Sequence, residues 1–352
     1  MTIAIHIGSP APLVDNFNFI CFSRIAAEKP EHHFIFIFDT APPPETYLEP
    51  NCTPVILAPS IKNNLLRYYW YNYKIPPVLK KYNAAIFITA GPTCSLQLQL
   101  PQIMSISAKD TLTSRYLKKF AGDFFQKARH IFFTSPFAKA RLTIGLPQNK
   151  TTTLYPGLPG LVISDAEKQI LKDKTASGND YFGWNAASLS FDSIKVVLKA
   201  FSIFKQWQHS SMQLIVLVTN PAGIDKELRL YKYREDIKVL ISNPQNKRLL
   251  LGAYACIFNG NNEEEYLDAF LTMQNDVPVI ALDNPLAKTV FNEAATYAAF
   301  TDTAISAKLI LLYKDEHFRK ALISKGQALS ATFSWPQTTA TVWKTITEVI
   351  NA

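Results

Sequence analysis

Cysteine and histidine are scarce and scattered in this sequence. The cysteines are Cys21, Cys52, Cys94 and Cys256, with no C-x-x-C pair among them, and the six histidines do not cluster. This spacing gives neither the disulfide framework of a small secreted domain nor the ligand pattern of a zinc site. We therefore interpret the cysteines as buried thiols and predict no metal site built from histidine.

The sequence also lacks a long hydrophobic run. No apolar segment reaches the ~18–20 residues that a membrane-spanning helix requires. Residues 1–8 carry neither the charged start nor the cleavage site of a signal peptide. We therefore expect a cytoplasmic protein, with peripheral attachment at the inner face of a membrane as the alternative.

Charged residues make up only 18% of the 352 residues, whereas hydrophobic residues make up 48%, including 23 Phe and 15 Tyr. This composition excludes the disordered and low-complexity classes. At roughly 100–200 residues per domain, the length predicts two domains.

Acidic residues are few in the first half of the chain. Residues 1–160 contain 16 Lys and Arg against 8 Asp and Glu, whereas residues 161–352 contain 20 of each, so the net charge of +8 lies entirely in the first half. A one-sided excess favours a domain that faces an anionic partner, such as acidic lipid or a phosphate-bearing substrate. An ordinary basic surface is the alternative.

Short apolar runs alternate with amphipathic segments along the whole chain, which is typical of an α/β fold. Strands that are hydrophobic throughout predict parallel sheets buried on both faces. The predicted strands are 2–7, 33–38, 53–57, 84–89, 102–107, 130–134, 180–184, 214–219, 237–241, 255–259 and 277–282. We therefore predict two doubly wound, Rossmann-like domains.

The alternation is interrupted by a Pro- and Gly-rich segment, 155–160, and then by the polar stretch 164–180. Such composition is typical of a linker. We place the domain boundary here, which gives an amino-terminal domain of residues 1–160 and a carboxy-terminal domain of residues 161–352.

Five short segments of the second half follow one another in a recognisable order. They are 181–183, 194–201, 213–218, 249–255 and 276–281. This order resembles the carboxy-terminal domain of glycosyltransferase family four, a large retaining family with the GT-B fold. Phe333-Ser334-Trp335 resembles that family's ending, which implies a final helix that crosses back to the first domain.

The first half resembles the family more loosely, through residues 76–81 followed by 84–89, and through 128–135. The resemblance covers nearly the whole chain. It implies the GT-B fold, in which two Rossmann-like domains face a cleft. It also implies a nucleotide-sugar donor on the second domain and a glycan or lipid-linked acceptor on the first.

The resemblance implies a cationic clamp for the donor diphosphate, made of an Arg and a Lys. The corresponding residues of this sequence are Ala187 and Asp192, and no Lys or Arg occurs between Lys174 and Lys195. We therefore expect the clamp to be missing.

The family's Glu-x7-Glu motif corresponds to Glu263 and Leu271, so the second glutamate, which holds the donor ribose, is replaced by leucine. The resemblance also implies that residues at strand ends lie beside the donor. The predicted donor-binding residues are Gly183, Trp184, Asn185, Asn243, Glu263 and Leu271.

Three adjacent carboxylates, Glu263 to Glu265, and Asp192 would face the two negative charges of a diphosphate. Each pair of like charges ~4 Å apart costs about 1 kcal/mol in water and ~4 kcal/mol near a protein surface. We therefore expect a diphosphate to be repelled unless a divalent cation intervenes. The alternative is an acidic helix start, which the helix dipole favours.

The predicted catalytic residues are Glu263 and Asp110. Asp110 follows a strand where the family carries a His-Asp loop, and Lys109 stands in the place of the His. On the acceptor side we predict Ser9, after the first strand, and Thr89, at the end of the fourth. Polar residues at strand ends also cap the next turn, which is the structural alternative.

Segment 62–81 interleaves bases with aromatic residues. Its bases are Lys62, Arg67, Lys74, Lys80 and Lys81, and its aromatic residues include Tyr68, Tyr69, Trp70, Tyr71 and Tyr73. Aromatic rings favour the membrane interface and Lys and Arg attract anionic headgroups, so we predict a positive face for an anionic membrane, joined by Arg115, Lys118 and Lys119. One alternative is that the aromatic residues pack on the sheet. Another is binding to nucleic acid, although the segment contains no known recognition motif.

Two functions follow. The first is transfer of a sugar from a nucleotide-sugar donor to a glycan or lipid-linked acceptor. The second is a GT-B pseudoenzyme that keeps the fold and acts as a binding or partner subunit, because the donor clamp is degenerate and a fold alone does not determine function.

Overall fold

The computed structural model describes residues 1–8, 16–61, 63–108, 110, 115–142, 148–221, 224, 228–229, 231–260 and 262–352. The chain forms two compact units. Unit 1 consists of Met1–Gly157 together with Ser334–Ala352, and unit 2 consists of Leu158–Phe333. Unit 1 is therefore made from two separate segments of the chain.

Unit 1 contains a seven-stranded parallel sheet. Its strands are β1 (Thr2–Gly8), β2 (His33–Phe38), β3 (Cys52–Ile56), β4 (Ile86–Ala90), β5 (Gln102–Ile106), β6 (His130–Phe133) and β7 (Thr151–Thr153). The strand order is β3-β2-β1-β4-β5-β6-β7, so the order reverses between β1 and β4. Ligands of doubly wound sheets bind outside the carboxyl ends of the strands at this switch point.

Unit 2 contains a six-stranded parallel sheet. Its strands are β8 (Tyr181–Asn185), β9 (Gln213–Val218), β10 (Ile237–Ile241), β11 (Ala255–Phe258), β12 (Val279–Leu282) and β13 (Ala295–Ala298). The strand order is β10-β9-β8-β11-β12-β13, with its switch point between β8 and β11. The predicted α/β class with two Rossmann-like sheets is confirmed.

The α-helices of the described residues flank these sheets. They are α1 (Phe17–Glu28), α2 (Asn64–Tyr69), α3 (Ile75–Lys81), α4 (Arg115–Lys127), α5 (Pro136–Arg141), α6 (Asp165–Ala176), α7 (Phe191–Gln208), α8 (Pro244–Lys247), α9 (Glu263–Gln274), α10 (Pro285–Phe291), α11 (Asp302–Lys314), α12 (Glu316–Ser330) and α13 (Trp335–Asn351). Within the described part of the chain, none of the helices combines the length and apolar character needed to cross a membrane.

The interior strands of unit 1 are buried on both faces because helices cover both. On one face, the isoleucines of β1 pack with residues of α1 and with Val342 and Ile346 of α13. On the other face, Ala4 packs with Trp70 and Tyr71. The last helix of the chain therefore completes the core around the first strand.

The sequence prediction of strands is accurate to within two residues at every predicted bound, but it misses the short edge strands β7 and β13. The interpretation of the polar stretch 164–180 as a linker is wrong, because helix α6 forms there. Ser164 and Glu167 close a reciprocal capping box at the start of this helix, and Ala176 is buried at its end. Ser-x-x-Glu is the sequence signature of such a cap, so the helix start was visible in the residue pattern.

Candidate functional site

A cavity of about 580 Å³ opens at the carboxyl edge of the unit 2 sheet. The residues that line it at or after the ends of β8, β9 and β10 are Asn185, Thr219, Ser242 and Asn243. Helix α9, which begins after β11, contributes Glu264, Glu265, Asp268 and Leu271. Small-molecule sites measure roughly 300–1,000 Å³ and favour the switch points of α/β sheets, so size and place both fit a ligand site.

Asn185 connects the elements around this cavity. Its side-chain amide donates to Asp268 Oδ2 at 3.3 Å, and its side-chain oxygen accepts from the Ser242 hydroxyl at 3.2 Å. The Asn259 side chain donates to the Asn185 carbonyl at 2.7 Å. The ends of β8, β10 and β11 and helix α9 are thereby held in one polar network, which fixes Asn185 before any ligand binds.

Lys247, the last residue of α8, brings a cation into the cavity. Its Nζ lies 2.5 Å from Glu264 Oε1 and 3.2 Å from Asp268 Oδ2. The Glu264 side chain is 75% exposed and that of Asp268 only 18%. The more buried contact is therefore the one to Asp268. Arg248 follows Lys247 and also lines the cavity.

Burial and pairing act in opposite directions on this ion pair. Burial lowers the pKa of Lys247, but the hydrogen bonds and charges of Glu264 and Asp268 outweigh it, so the pKa lies above its ordinary value. Burial also raises the pKa of Asp268, and Lys247 and Asn185 only partly counter this rise. Asp268 is therefore a carboxylate that depends on its partners for its charge.

Glu265 is held by contacts that stabilise the start of helix α9. It accepts a hydrogen bond from the Ser188 hydroxyl at 2.6 Å and one from the Asn262 side chain at 3.2 Å. Asn262 in turn accepts from the Glu265 backbone at 2.9 Å as the helix N-cap. Glu265 therefore ties the loop after β8 to the first turn of α9.

Solved structures share this architecture over nearly the whole chain. A glycosyltransferase from Rickettsia africae ESF-5 has a TM-score of 0.67 and 12% identity, over 99% of this chain and 98% of that one. Sucrose-phosphate synthase from Thermosynechococcus elongatus has a TM-score of 0.64 and 12% identity, over 100% and 99%. HepE from Anabaena, in complex with UDP, has a TM-score of 0.64 and 12% identity, over 99% of each chain.

The chain has the GT-B fold. No protein-family model and no curated protein sequence matches it. Because one fold hosts many activities, the function must be argued from the residues of the site.

Three of the predicted donor-binding residues of this GT-B chain, Asn185, Asn243 and Leu271, line the cavity. Asn243 also caps helix α8 by accepting from the Asn246 backbone at 2.8 Å, as the structural alternative predicted. Trp184 is fully buried in the core and donates to Asn259 at 2.8 Å.

Gly183 lies beneath Leu250 and Cys256 and is buried. A Cβ atom at this position would lie 2.9 Å from Leu250 Cδ2 and 3.0 Å from Cys256 Sγ, so only glycine fits without a shift. Neither Gly183 nor Trp184 is among the described residues that line the cavity. In the GT-B fold of this chain both act as packing residues beneath the site, because β8 is a central strand covered on both faces.

The two predicted clamp positions carry no cation, but other cations line the cavity. Ala187 lines it and Asp192 pairs with Lys195 at 3.4 Å, as the loop sequence suggests, but Lys247 and Arg248 reach the same cavity from the end of β10. The sequence signal was a pair of bases just after a strand end. It was missed because cations were sought only between β8 and α7.

Glu263 is the first residue of helix α9, and Leu271 lies on the same helix. The cavity is lined by Glu264 and Glu265, while Glu263 is not among its described lining residues. Among the described residues, no group of three or more His, Cys, Asp or Glu side chains is placed to hold a metal ion. The acidic start of α9 agrees with the favourable effect of the helix dipole.

Asp110, predicted as catalytic, lies after β5 in unit 1. Its Oδ2 accepts from the Ser107 backbone and hydroxyl, both at 2.8 Å. Burial raises the pKa of Asp110, and the Ser107 hydrogen bonds and the charge of Arg67 counter it. Gly91 has a φ of +85°, and a Cβ there would lie 2.9 Å from Asp110 Oδ1 and 3.5 Å from Arg67 Nη1. Both side chains thus meet over this glycine.

His6 on β1 forms a buried pair with Asp39, which follows β2 in unit 1. His6 Nε2 is 2.8 Å from Asp39 Oδ1, and His6 Nδ1 is 3.0 Å from the Tyr71 hydroxyl, which donates to the Ala90 carbonyl at 3.2 Å. No sequence pattern predicts these contacts of His6, because Asp39 and Tyr71 are 33 and 65 residues away along the chain. Thr89, predicted on the acceptor side, is fully buried and its hydroxyl has no partner among the described residues. Ser9 lies outside the described residues.

Proposed function

We propose that this protein is a glycosyltransferase that moves a sugar from a nucleotide-sugar donor to a glycan or lipid-linked acceptor, with the unit 2 cavity as its donor site. The observation that carries the proposal is the cavity itself. It lies at the carboxyl ends of β8, β9 and β10 and is lined by cations, carboxylates and neutral polar groups. HepE, which shares the fold, was solved in complex with UDP.

The diphosphate end of the donor is assigned to Lys247 and Arg248. Cationic nitrogens form short, strong hydrogen bonds with phosphate oxygens. Lys247 must exchange its contacts with Glu264 and Asp268 for the phosphate. Water hydrates the exposed Glu264 carboxylate once Lys247 leaves it. The more buried Asp268 carboxylate instead requires another group that donates a hydrogen bond to it.

The ribose hydroxyl groups of the nucleotide sugar supply these hydrogen bonds to the Asp268 carboxylate. Asp268 precedes Leu271 by three residues, so the two side chains lie about 60° apart around helix α9 and border the same cavity. A carboxylate oxygen accepts hydrogen bonds from two neighbouring hydroxyl groups. We therefore assign to Asp268 the ribose contact that Leu271 is unable to make, with Asn185 holding the carboxylate in place.

For the chemical step we propose the two carboxylates that the sequence singles out. Glu263 stands at the start of the helix that borders the cavity. Asp110 is a buried carboxyl whose pKa is raised, so it holds a proton more readily than an exposed aspartate. Such a group is suited to exchange a proton with an acceptor hydroxyl. Conversion of either residue to the amide should lower kcat more than it changes KM for the donor.

A pseudoenzyme is the second candidate. Two features favour it: Leu271 in place of a ribose-binding carboxylate, and Ala187 in place of a clamp cation. A pseudoenzyme of this kind would bind a nucleotide or a partner protein without turning over a sugar donor.

Calorimetry against a panel of nucleoside diphosphates and nucleotide sugars, with and without magnesium or manganese, tests the donor site. We expect at least one nucleoside diphosphate to bind, and we expect Lys247→Met to weaken it more than Lys288→Met. Lys288 is the matched control because it pairs with Asp283 at 2.7 Å in the same unit and is not among the cavity residues.

Hydrolysis or transfer from the bound nucleotide sugar then separates the two candidate functions. Binding with turnover supports the enzyme, and binding without turnover for any donor or acceptor supports the pseudoenzyme. No binding of any nucleotide by the folded protein would overturn both donor-site assignments.

A further inference from the structure

Residues 50–109 contain six Lys and Arg and no Asp or Glu. This acid-free segment includes β3, the helical segment 64–81, β4 and β5 of unit 1. Its bases therefore have no acidic neighbour within the segment. In contrast, the bases of unit 2 lie in a region where the two signs are equal in number.

A cluster of tyrosines covers the outer side of the helical segment 64–81. Tyr68, Tyr69 and Tyr73 are 39%, 43% and 54% exposed. The rings of Tyr69 and Tyr73 are stacked with their centroids 5.8 Å apart, and Tyr68 lies 6.3 Å from Tyr73. We call these three residues the tyrosine face.

The tyrosine face is rigidly attached to the core. The intervening residues Trp70 and Tyr71 are fully buried, and the Trp70 indole donates to the Pro59 carbonyl at 2.7 Å. A π-helical turn, Trp70–Lys74, joins α2 to α3 and contains both buried Tyr71 and exposed Tyr73. Trp70 and Tyr71 thus pack on the sheet, as one alternative predicted, whereas the membrane face remains a prediction.

Lysines continue the tyrosine face along the same helix. Lys74 Nζ lies 6.0 Å above the Tyr69 ring. Lys80 and Lys81 are exposed and lie seven residues after Tyr73 and Lys74, which is about two turns along the same side. Among the described residues, none of these three lysines forms an ion pair with a carboxylate. Lys62 lies outside the described residues, and for Arg115 and Lys118 only the backbone is described.

We propose that the tyrosine face and Lys74, Lys80 and Lys81 form a surface that docks on an anionic lipid bilayer. Tyrosine favours the interface between lipid tails and water, and unpaired lysines attract anionic headgroups. Because the charged residues described on this surface are all lysines, we expect a negatively charged partner. A nucleic acid or an anionic glycan would share the charge attraction but would not require the exposed rings to enter an apolar layer.

Vesicle co-sedimentation of the whole protein tests this proposal, using phosphatidylcholine vesicles with and without phosphatidylglycerol. We expect binding to the anionic vesicles only, and a steep loss as salt rises, because exposed charges are screened over ~8 Å at physiological ionic strength. Lys80→Glu with Lys81→Glu should lower the partition coefficient at least about 25-fold, since each lysine near an anionic surface contributes about fivefold.

Two further variants separate this surface from net charge and from misfolding. Lys314→Glu with Lys320→Glu changes the net charge equally on exposed helices of unit 2 and should bind like the wild type. Tyr69→Ser with Tyr73→Ser should also weaken vesicle binding, while the melting temperature and the affinity for a nucleoside diphosphate stay unchanged in every variant.

Three results would overturn the proposal. They are equal or absent binding to the two kinds of vesicle, equal loss in the Lys80/Lys81 and Lys314/Lys320 variants, and binding to heparin or DNA that survives the tyrosine changes while vesicle binding is absent. None of these outcomes bears on the donor site, which the nucleotide titration tests separately.

Discussion

The two partners of the Lys247–Asp268 ion pair should contribute unequally to stability. In Lys247→Met, the partner that Asp268 keeps among the described residues is the Asn185 amide, 3.3 Å away, where the Asp268 side chain is 18% exposed. A buried charged group that loses a partner costs about 1–3 kcal/mol or more. In Asp268→Asn, Lys247 keeps Glu264, whose side chain is 75% exposed, so the lysine remains partly hydrated. Exposed ion pairs contribute about 0–1 kcal/mol, so we expect Asp268→Asn to lower the free energy of unfolding by an amount in that range.

The double variant Lys247→Met with Asp268→Asn should regain part of the loss, because no buried carboxylate then lacks a partner. Interaction energies between residues in contact are about 0.5–3 kcal/mol, so the recovery is measurable. We would follow urea unfolding by circular dichroism together with hydrogen exchange in α9, since two units need not unfold in one transition.

Lys288→Met is the control for removal of an equally long cation from an exposed pair, and it should cost no more than about 1 kcal/mol. The reasoning is refuted if Lys247→Met destabilises α9 no more than Lys288→Met does, or if the double variant is as unstable as the two single losses added together. Either result would mean that the ion pair is hydrated and that Asp268 does not depend on Lys247.

Two further predictions concern packing and pH. Gly183→Ala should destabilise unit 2 by about 1–3 kcal/mol through overpacking against Leu250. Gly122→Ala in α4 should instead stabilise unit 1 by about 0.5–1 kcal/mol, because a Cβ there meets no atom within 4 Å. Melting curves of the two variants test both expectations. Burial lowers the pKa of His130 below its ordinary value of 6.5, so the unfolded chain binds this proton more readily and stability should fall as pH drops below that value. His130→Gln should flatten the fall; an unchanged slope in the variant's melting temperature against pH would exclude His130 as its source.

The sequence was sufficient to predict the sheets because their strands carry an unbroken local signal. The interior strands are mostly apolar throughout, and a parallel sheet with helices on both faces demands such strands. Helix α6 was missed because only its far end, at Ala176, is buried, so its pattern is polar and only the cap at Ser164 announces it.

The site was harder to predict because its residues come from distant parts of the chain. Lys247 and Asp268 are 21 residues apart and belong to different strand-end segments, yet their atoms lie 3.2 Å apart. No local pattern records such a pairing, since it follows from the order of strands in the sheet. His6 on β1 and Tyr71 on the helical segment packed against that strand also meet, although they are 65 residues apart in the sequence.

The divided construction of unit 1 has a consequence for the order in which the protein matures. Chains emerge from the ribosome from the amino terminus, and domains usually fold as they appear. Here the core around β1 includes Val342 and Ile346, both fully buried, which are made after the whole of unit 2. Unit 2 is continuous in sequence and is complete once Phe333 has emerged. Unit 1 is therefore begun before unit 2 and finished after it, and until α13 arrives its isoleucine-rich surface must remain uncovered or be shielded by another molecule.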